Sequence, residues 1–225
     1  MSSNKKIQDM VYNYRAYNKQ SLPYQSMGSV KGVRDTRRRL KVLKFPKDFS
    51  GKTILDIGCS TGIFCFEAHK RQASRCVGID YSHEPINIAN AIKSKLPNAQ
   101  GLEFYVCDLN MGIQNLLQTI GPFKYDYIFA LSIWKHIYDD IFWNTIKLLC
   151  KDTCYLEFNS IHDGSKHPPM LKNLIKNNRK NKKLLSQIIM QKSGCKDVKF
   201  LGFAKDSGKR ACFSIKFKNK NNIKK

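Results

Sequence analysis

The residues of this chain best suited to chemistry are three carboxylates and the glycine loop that follows the first of them. The apolar run Thr53-Ile54-Leu55 leads into Asp56-Ile57-Gly58-Cys59-Ser60-Thr61-Gly62, an Asp-x-Gly-x-x-x-Gly pattern, and a helical pattern from Ile63 to Ala68 follows at once. Glycine lets a backbone turn sharply and approach a ligand where a Cβ would collide. A dinucleotide site needs Gly-x-Gly-x-x-Gly so that a pyrophosphate can rest on the helix N-terminus. Here Ser60 stands where the second glycine would be, and Asp56 is a poor neighbour for phosphate. The loop suits a ligand carrying a positively charged amino group instead. A second apolar run, Arg75-Cys76-Val77-Gly78-Ile79, ends in Asp80, and a third, Leu102 to Cys107, ends in Asp108. In a doubly wound sheet ligands lie outside the carboxyl ends of the strands, where an acid accepts hydrogen bonds from ribose hydroxyls. Taken singly, each acid also reads as a helix N-cap and each glycine as a turn residue. Their order after one loop points to a ligand.

On these residues the chain resembles the class I S-adenosylmethionine-dependent methyltransferases. S-adenosylmethionine carries an ammonium and a sulfonium, in keeping with an acid beside the loop. The resemblance implies that Asp56, Gly58 and Gly62 line the methionine part, that Asp80 grips the ribose, and that Asp108 faces the adenine amino group. Cys59, Tyr81, Leu109 and Leu131 complete the implied cofactor-binding set. A finer likeness runs through Gln25, Val33-Arg34-Asp35-Thr36 with Arg39, the glycine loop, and Leu131-Ser132-x-x-Lys135-His136. In these it looks similar to the wobble-uridine tRNA methyl- and carboxymethyl-transferases. The Leu-Ser-x-x-Lys step is also similar to RNA 5′-phosphate capping methyltransferases, whose following Trp-x-His-Leu-Asn stretch this chain lacks. The carboxylate-binding set of the carboxymethyl enzymes is not identifiable, so ordinary S-adenosylmethionine is expected.

Methyl transfer is an in-line displacement, and the protein's work is to align the reacting atoms and exclude water. A base is needed only where the acceptor must lose a proton, and candidates belong after the fourth and fifth strands. His136 is one, its other reading being a capping or packing histidine. His162, in the loop after Glu157-Phe158-Asn159, is a second. Trp134 reads equally as a platform for a nucleobase or as a core residue. Lys135 reads as a phosphate contact or a solvated lysine, and Glu157 as a structural partner for a basic residue of the N-terminal section. The chain has no Asn/Asp-Pro-Pro-Tyr/Phe motif of amino-group methylation and no Pro-Cys nucleophile. An O-methyl product is the expectation that remains.

The elements that must position these residues alternate. Strand patterns near 53–57, 75–80, 102–107, 125–132 and 153–159 are separated by helical patterns near 62–71, 83–95, 110–119 and 138–149. Such alternation predicts a parallel sheet with helices on both faces. Pro168-Pro169 opens a Lys-rich helix to about Lys192, and runs at 199–204 and 211–217 flank the turn Asp206-Ser207-Gly208. The expected fold is α/β: a Rossmann-like doubly wound sheet of about seven strands, mostly parallel, with a C-terminal antiparallel hairpin. Residues 1–50 are expected to form a helical extension or substrate lid, with amphipathic spacing over 5–18 and a short helix at 35–44. Residues 51–217 form the cofactor domain and 218–225 a disordered basic tail.

The formal net charge is +23. Residues 1–52 hold 13 Lys and Arg against 3 Asp and Glu, residues 53–162 hold 9 against 11, and residues 163–225 hold 18 against 3. Both flanks of the cofactor region are therefore basic, and such flanks attract polyanions. RNA is the expected partner, with Arg34, Arg37, Arg38, Arg39, Trp134 and Lys135 as substrate contacts. Lys-rich, Asn-rich composition also arises from an AT-rich genome, which leaves two alternatives: O-methylation of a small metabolite, or a non-catalytic RNA-binding subunit. No apolar stretch approaches the roughly 20 residues that span a bilayer. The eight cysteines include no Cys-x-x-Cys pair. Buried thiols, no metal and a cytoplasmic location are expected.

Overall fold

A computed structural model describes residues 36–158, 178–204 and 210–217. Five parallel strands and a terminal hairpin form one seven-stranded sheet: β1 (Thr53–Ile57), β2 (Arg75–Asp80), β3 (Leu102–Val106), β4 (Tyr125–Leu131), β5 (Cys150–Glu157), β6 (Asp197–Ala204) and β7 (Arg210–Lys216). Their order is β3-β2-β1-β4-β5-β7-β6, with β7 antiparallel to both β5 and β6. The helices are α1 (Thr36–Leu43), α2 (Ile63–Lys70), α3 (His83–Lys93), α4 (Ile113–Ile120), α5 (Asp139–Leu149) and α6 (Asn178–Ser193). The expected sheet, its mostly parallel order and its C-terminal hairpin are all present. Strand order reverses between β1 and β4, and the crevice at such a reversal is where α/β sheets hold ligands.

The central strands read as apolar runs because both of their faces are covered. Leu55, Ile57, Val77, Ile79, Ile128 and Ala130 face the core shared with α4, α5 and α6. Ile54, Cys76, Phe129 and Tyr155 face the core shared with α2 and the chain from Leu43 to Phe49. Phe45 stacks on Phe129 at 4.3 Å between ring centroids and meets Tyr155 edge-on at 4.7 Å. Leu43, Phe45 and Phe49, within the stretch expected as an N-terminal extension, are thus part of the core. All eight cysteines are free and buried.

Boundaries moved by small amounts. Strand β5 starts at Cys150 because α5 runs into it with no intervening loop, and β6 gains Asp197 and Val198. The helix expected from Pro169 is described only from Asn178. The expected helix at 5–18, the tail from 218 and the Asp206-Ser207-Gly208 turn lie outside the described residues.

Candidate active site

The glycine loop turns through three left-handed residues, Gly58 at φ 73°, Ser60 at φ 52° and Gly62 at φ 78°. The amides of Gly58 and Cys59 both donate to the Ile79 carbonyl, at 2.8 and 2.9 Å, so the chain folds across the end of β2. A Cβ on Gly58 would come within 2.6 Å of the Ile133 side chain, and one on Gly62 would strike the Phe104 ring. Two of the three positions therefore exclude other residues on space as well as on backbone conformation. Ser60 tolerates the left-handed region where its amide donates to Asp80 Oδ2 at 3.0 Å. The loop and the second acid are one unit.

The three acids lie along one edge of the sheet. Asp56 is 1% exposed, on the β1 face covered by α1 and α2, and accepts from the Cys65 thiol at 3.8 Å. Burial lifts its carboxyl to about 7, against the opposing pull of the Arg39 guanidinium. Asp80, also raised by burial, accepts from the Ser82 amide at 3.1 Å as well as from Ser60. Asp108 caps the 3-10 turn Leu109–Met111, its Oδ1 accepting from the Asn110 amide at 2.9 Å and from Asn110 Nδ2 at 3.0 Å. Tyr81 is 57% exposed beside Asp80, while Leu109 and Leu131 are buried along the same edge. Cys59 is buried against Gly78, so only its backbone faces the loop's concavity. This donor set fits S-adenosylmethionine: a carboxylate for an ammonium, another for ribose hydroxyls, a third for an amino group, and an exposed ring beside the second.

Past β4 the chain makes a second 3-10 turn, Trp134–His136. His136 is exposed there and Lys135 half-buried. Asn110 ties this turn to the previous one: its Nδ2 donates to the His136 carbonyl at 3.1 Å and its Oδ1 accepts from the Tyr138 amide at 3.0 Å. The Asp108 cap and the His136 turn are thus held by one side chain.

Two expected substrate contacts are corrected. Trp134 is buried, its indole N–H donating to Asp139 at 3.0 Å and its ring packed on Phe142, Trp143 and Phe158. It is a core residue and offers no face to a base. Arg39 is 3% exposed, its Nε and Nη2 lying 2.8 and 2.7 Å from Glu157 Oε2 and its guanidinium 4.7 Å above the Phe64 ring. No phosphate reaches it in this position. Glu157 accordingly has the structural partner expected of it. Arg37 and Arg38 are exposed on α1, as are Lys41 in its last turn and Lys44 just past its end. Arg34 and His162 lie outside the described residues.

The sequence assigned no role to Arg210 or Asn110, and Ser132 entered only as part of the Leu131-Ser132-x-x-Lys135-His136 likeness. Ser132 is left-handed at φ 64°; its amide donates to the Glu157 carbonyl at 2.9 Å and its hydroxyl to Glu157 Oε1 at 3.0 Å. Arg210 Nη1 donates to the Ser132 hydroxyl at 2.8 Å. A non-glycine residue in this region is uncommon and is held by such surroundings. At Ser132 the signals were a small polar residue directly after an apolar strand and its place in the Leu-Ser-x-x-Lys step.

Residues 48–211 match the model of a family described as a methyltransferase domain. The chain is 36% identical over 106 residues to magnesium-protoporphyrin O-methyltransferase of Rhodobacter capsulatus, 46% of this chain and 42% of that protein. It is 40% identical over 60 residues to protein arginine N-methyltransferase 1 of Dictyostelium discoideum, 27% of this chain and 17% of that one. It therefore spans less than half the length of these curated relatives. In fold it is similar to magnesium protoporphyrin IX methyltransferase from Synechocystis with bound S-adenosylmethionine, at TM-score 0.58 and 13% identity over 97% of this chain and 98% of that one. It is likewise similar to the bifunctional kinase-methyltransferase WbdD, at TM-score 0.61 and 18% identity over 95% of this chain and 46% of that one.

Proposed function

The chain belongs to the methyltransferase-domain family, and on that premise we propose that it uses S-adenosylmethionine to methylate an oxygen of a small-molecule acceptor by direct in-line displacement. The observation that carries this reading is the fate of the residues an RNA substrate would need. Trp134 and Arg39 are consumed inside the core, whereas His136 stands exposed on the turn after β4, tied to the turn of Asp108. The partial identity to an O-methyltransferase supports the same choice.

The cofactor supplies a methyl group activated by its sulfonium. Asp56 meets the ammonium, Asp80 the ribose hydroxyls, and Asp108 the adenine amino group through Oδ2, its Oδ1 being engaged by Asn110. Tyr81 covers the adenosine beside Asp80, and the backbone of Gly58, Cys59 and Gly62 shapes the methionine pocket with Leu109 and Leu131 at its wall. His136 takes the proton of the acceptor hydroxyl, an imidazole being able to do so near neutral pH. His162 is a second candidate for that proton.

A second reading, methylation of RNA such as tRNA, is favoured by one observation: Arg37, Arg38, Lys41 and Lys44 are all exposed on or beside α1. Residues 1–50, with Arg34 among them, would then close over the acceptor, and Lys135 would contact phosphate. Transfer of tritium from labelled S-adenosylmethionine into a small-metabolite extract and, in parallel, into total cellular RNA separates the readings. Label in the metabolite fraction is expected; label confined to RNA overturns the first reading in favour of the second.

A further inference from the structure

The chain that leaves β4 reaches the cofactor loop within two residues. Ser132 follows the strand directly, and Ile133 after it packs on Gly58, where a Cβ would lie 2.6 Å from Ile133 Cδ1 and 2.8 Å from Cγ1. The side chain that fills the space beside Gly58 is therefore delivered by the backbone of Ser132. That backbone holds φ 64°, a region that is costly for a residue carrying a Cβ. Three bonds keep it there. The Ser132 amide donates to the Glu157 carbonyl at 2.9 Å, continuing the β4–β5 ladder past the Leu131–Glu157 pair. Its hydroxyl donates to Glu157 Oε1 at 3.0 Å and accepts from Arg210 Nη1 at 2.8 Å, so the oxygen is fixed from two sides. Glu157 is itself immobilised. It is 0% exposed, and its Oε2 receives Nε and Nη2 of Arg39 at 2.8 and 2.7 Å.

We propose that Ser132 is a positioning residue for the cofactor: the buried Glu157 carboxylate holds its left-handed backbone, and that backbone seats Ile133 on the Gly58 loop that receives the methionine part of S-adenosylmethionine. The inference rests on the reading that this loop holds that cofactor. Glu157 serves as the fixed point because four elements meet on it. It projects from β5, takes Arg39 from α1 and Ser132 from the end of β4, and has Arg210 of β7 3.6 Å from its Oε1. Both arginines are 3% exposed, so the carboxylate is anchored by cations that are themselves packed in the core. Released from Glu157, a residue with a Cβ at position 132 relaxes from positive φ toward the ordinary regions, and Ile133 swings away with it. The pairing of β4 with β5 up to Leu131 does not depend on that hydroxyl. A glycine has no such tendency to relax, because it populates positive φ about as readily as negative. What the network gives to folding and what it gives to the site are therefore separable at this one position.

Removing the Glu157 charge strands two buried guanidiniums, so Glu157→Gln tests folding before it tests position. Substitutions at Ser132 leave all three charges in place. Ser132→Ala removes the hydroxyl and keeps the Cβ, and Ser132→Gly removes both. Calorimetric titration of S-adenosylmethionine into each, with thermal denaturation of the ligand-free proteins alongside, reads the proposal without any assay of turnover. Both variants lose the same side-chain hydrogen bonds, and both should melt below the wild type. Ser132→Ala should bind about ten-fold more weakly, the cost of the left-handed region now opposing the seating of Ile133. Ser132→Gly should stay within about two-fold of the wild type, since about half of its freedom is already at positive φ. In an Ile133→Ala background the loss caused by Ser132→Ala should vanish, because the two residues act as one unit. Equal affinity in the wild type and both Ser132 variants overturns the proposal and leaves Ser132 a stabilising residue alone. An equal loss in both variants, or a Ser132→Ala loss that persists beside Ile133→Ala, overturns it as well. A wild type that does not bind S-adenosylmethionine overturns the reading of the loop, and the proposal with it.

Discussion

His136 and Asp56 carry opposite demands at the residue scale. His136 needs solvent-like freedom to take and release a proton, and it is exposed on a turn. Asp56 is buried, which lifts its carboxyl to about 7 against the pull of the Arg39 guanidinium. His136→Ala is therefore expected to lower kcat by about 100-fold, the low end of what a positioned base contributes, with the calorimetric affinity for S-adenosylmethionine unchanged. Wild-type turnover in that variant would assign the proton to another group. The acids of the site were legible because each closes its own apolar run, a pattern visible without coordinates. Arg39 was not. In the run Arg37-Arg38-Arg39 nothing in residue type distinguishes the one that turns inward; the face of α1 does, and that face is set by Leu43 and the sheet it packs on. Trp134 failed for the same reason, since an indole that stacks on a base and one that stacks on Phe142 share one sequence signature.

Among the elements, the two 3-10 turns after β3 and β4 are joined through the Asn110 side chain. Its amide spans Asp108, the His136 carbonyl and the Tyr138 amide. Replacing it by alanine removes an acceptor from the Tyr138 N–H, a bond worth about 1 kcal/mol net. Hydrogen exchange at Tyr138 is expected to quicken about five-fold in Asn110→Ala, with exchange in β1 and β4 unaffected. Uniform acceleration through the sheet would mean that Asn110 stabilises the fold at large. The strands and helices were themselves readable, since apolar strand patterns alternating with helical spacing predict an open parallel sheet. The side-chain clasp was not, because two turns separated by a whole strand and helix share no local pattern. Nor was the early start of β5, which follows from α5 entering it without a loop.

For the whole molecule, the formal charge of +23 makes low-salt association with RNA an expected property of either functional reading. The informative quantity is the slope of affinity against salt. Reversing Arg37, Arg38 and Lys41 to glutamate should reduce that slope by about three if α1 lies on the phosphates. An unchanged slope, measured by fluorescence anisotropy on a tRNA and on an unrelated RNA, assigns the association to charge elsewhere on the chain. The eight cysteines bear on the molecule as a whole in another way. Each is a buried free thiol, spread over the glycine loop, α2, β2, the end of β3, β5, the approach to β6, and β7. Thiolates react with alkylating reagents and buried thiols do not, so each modification must await an opening of the native structure. Intact-mass spectra taken during alkylation should accordingly divide between unmodified chains and chains carrying eight adducts, and S-adenosylmethionine should slow the passage from one to the other. The protein carries a built-in clock for its own unfolding, and any intermediate adduct number would show that part of the sheet opens alone, with peptide mapping of the adducts naming which part.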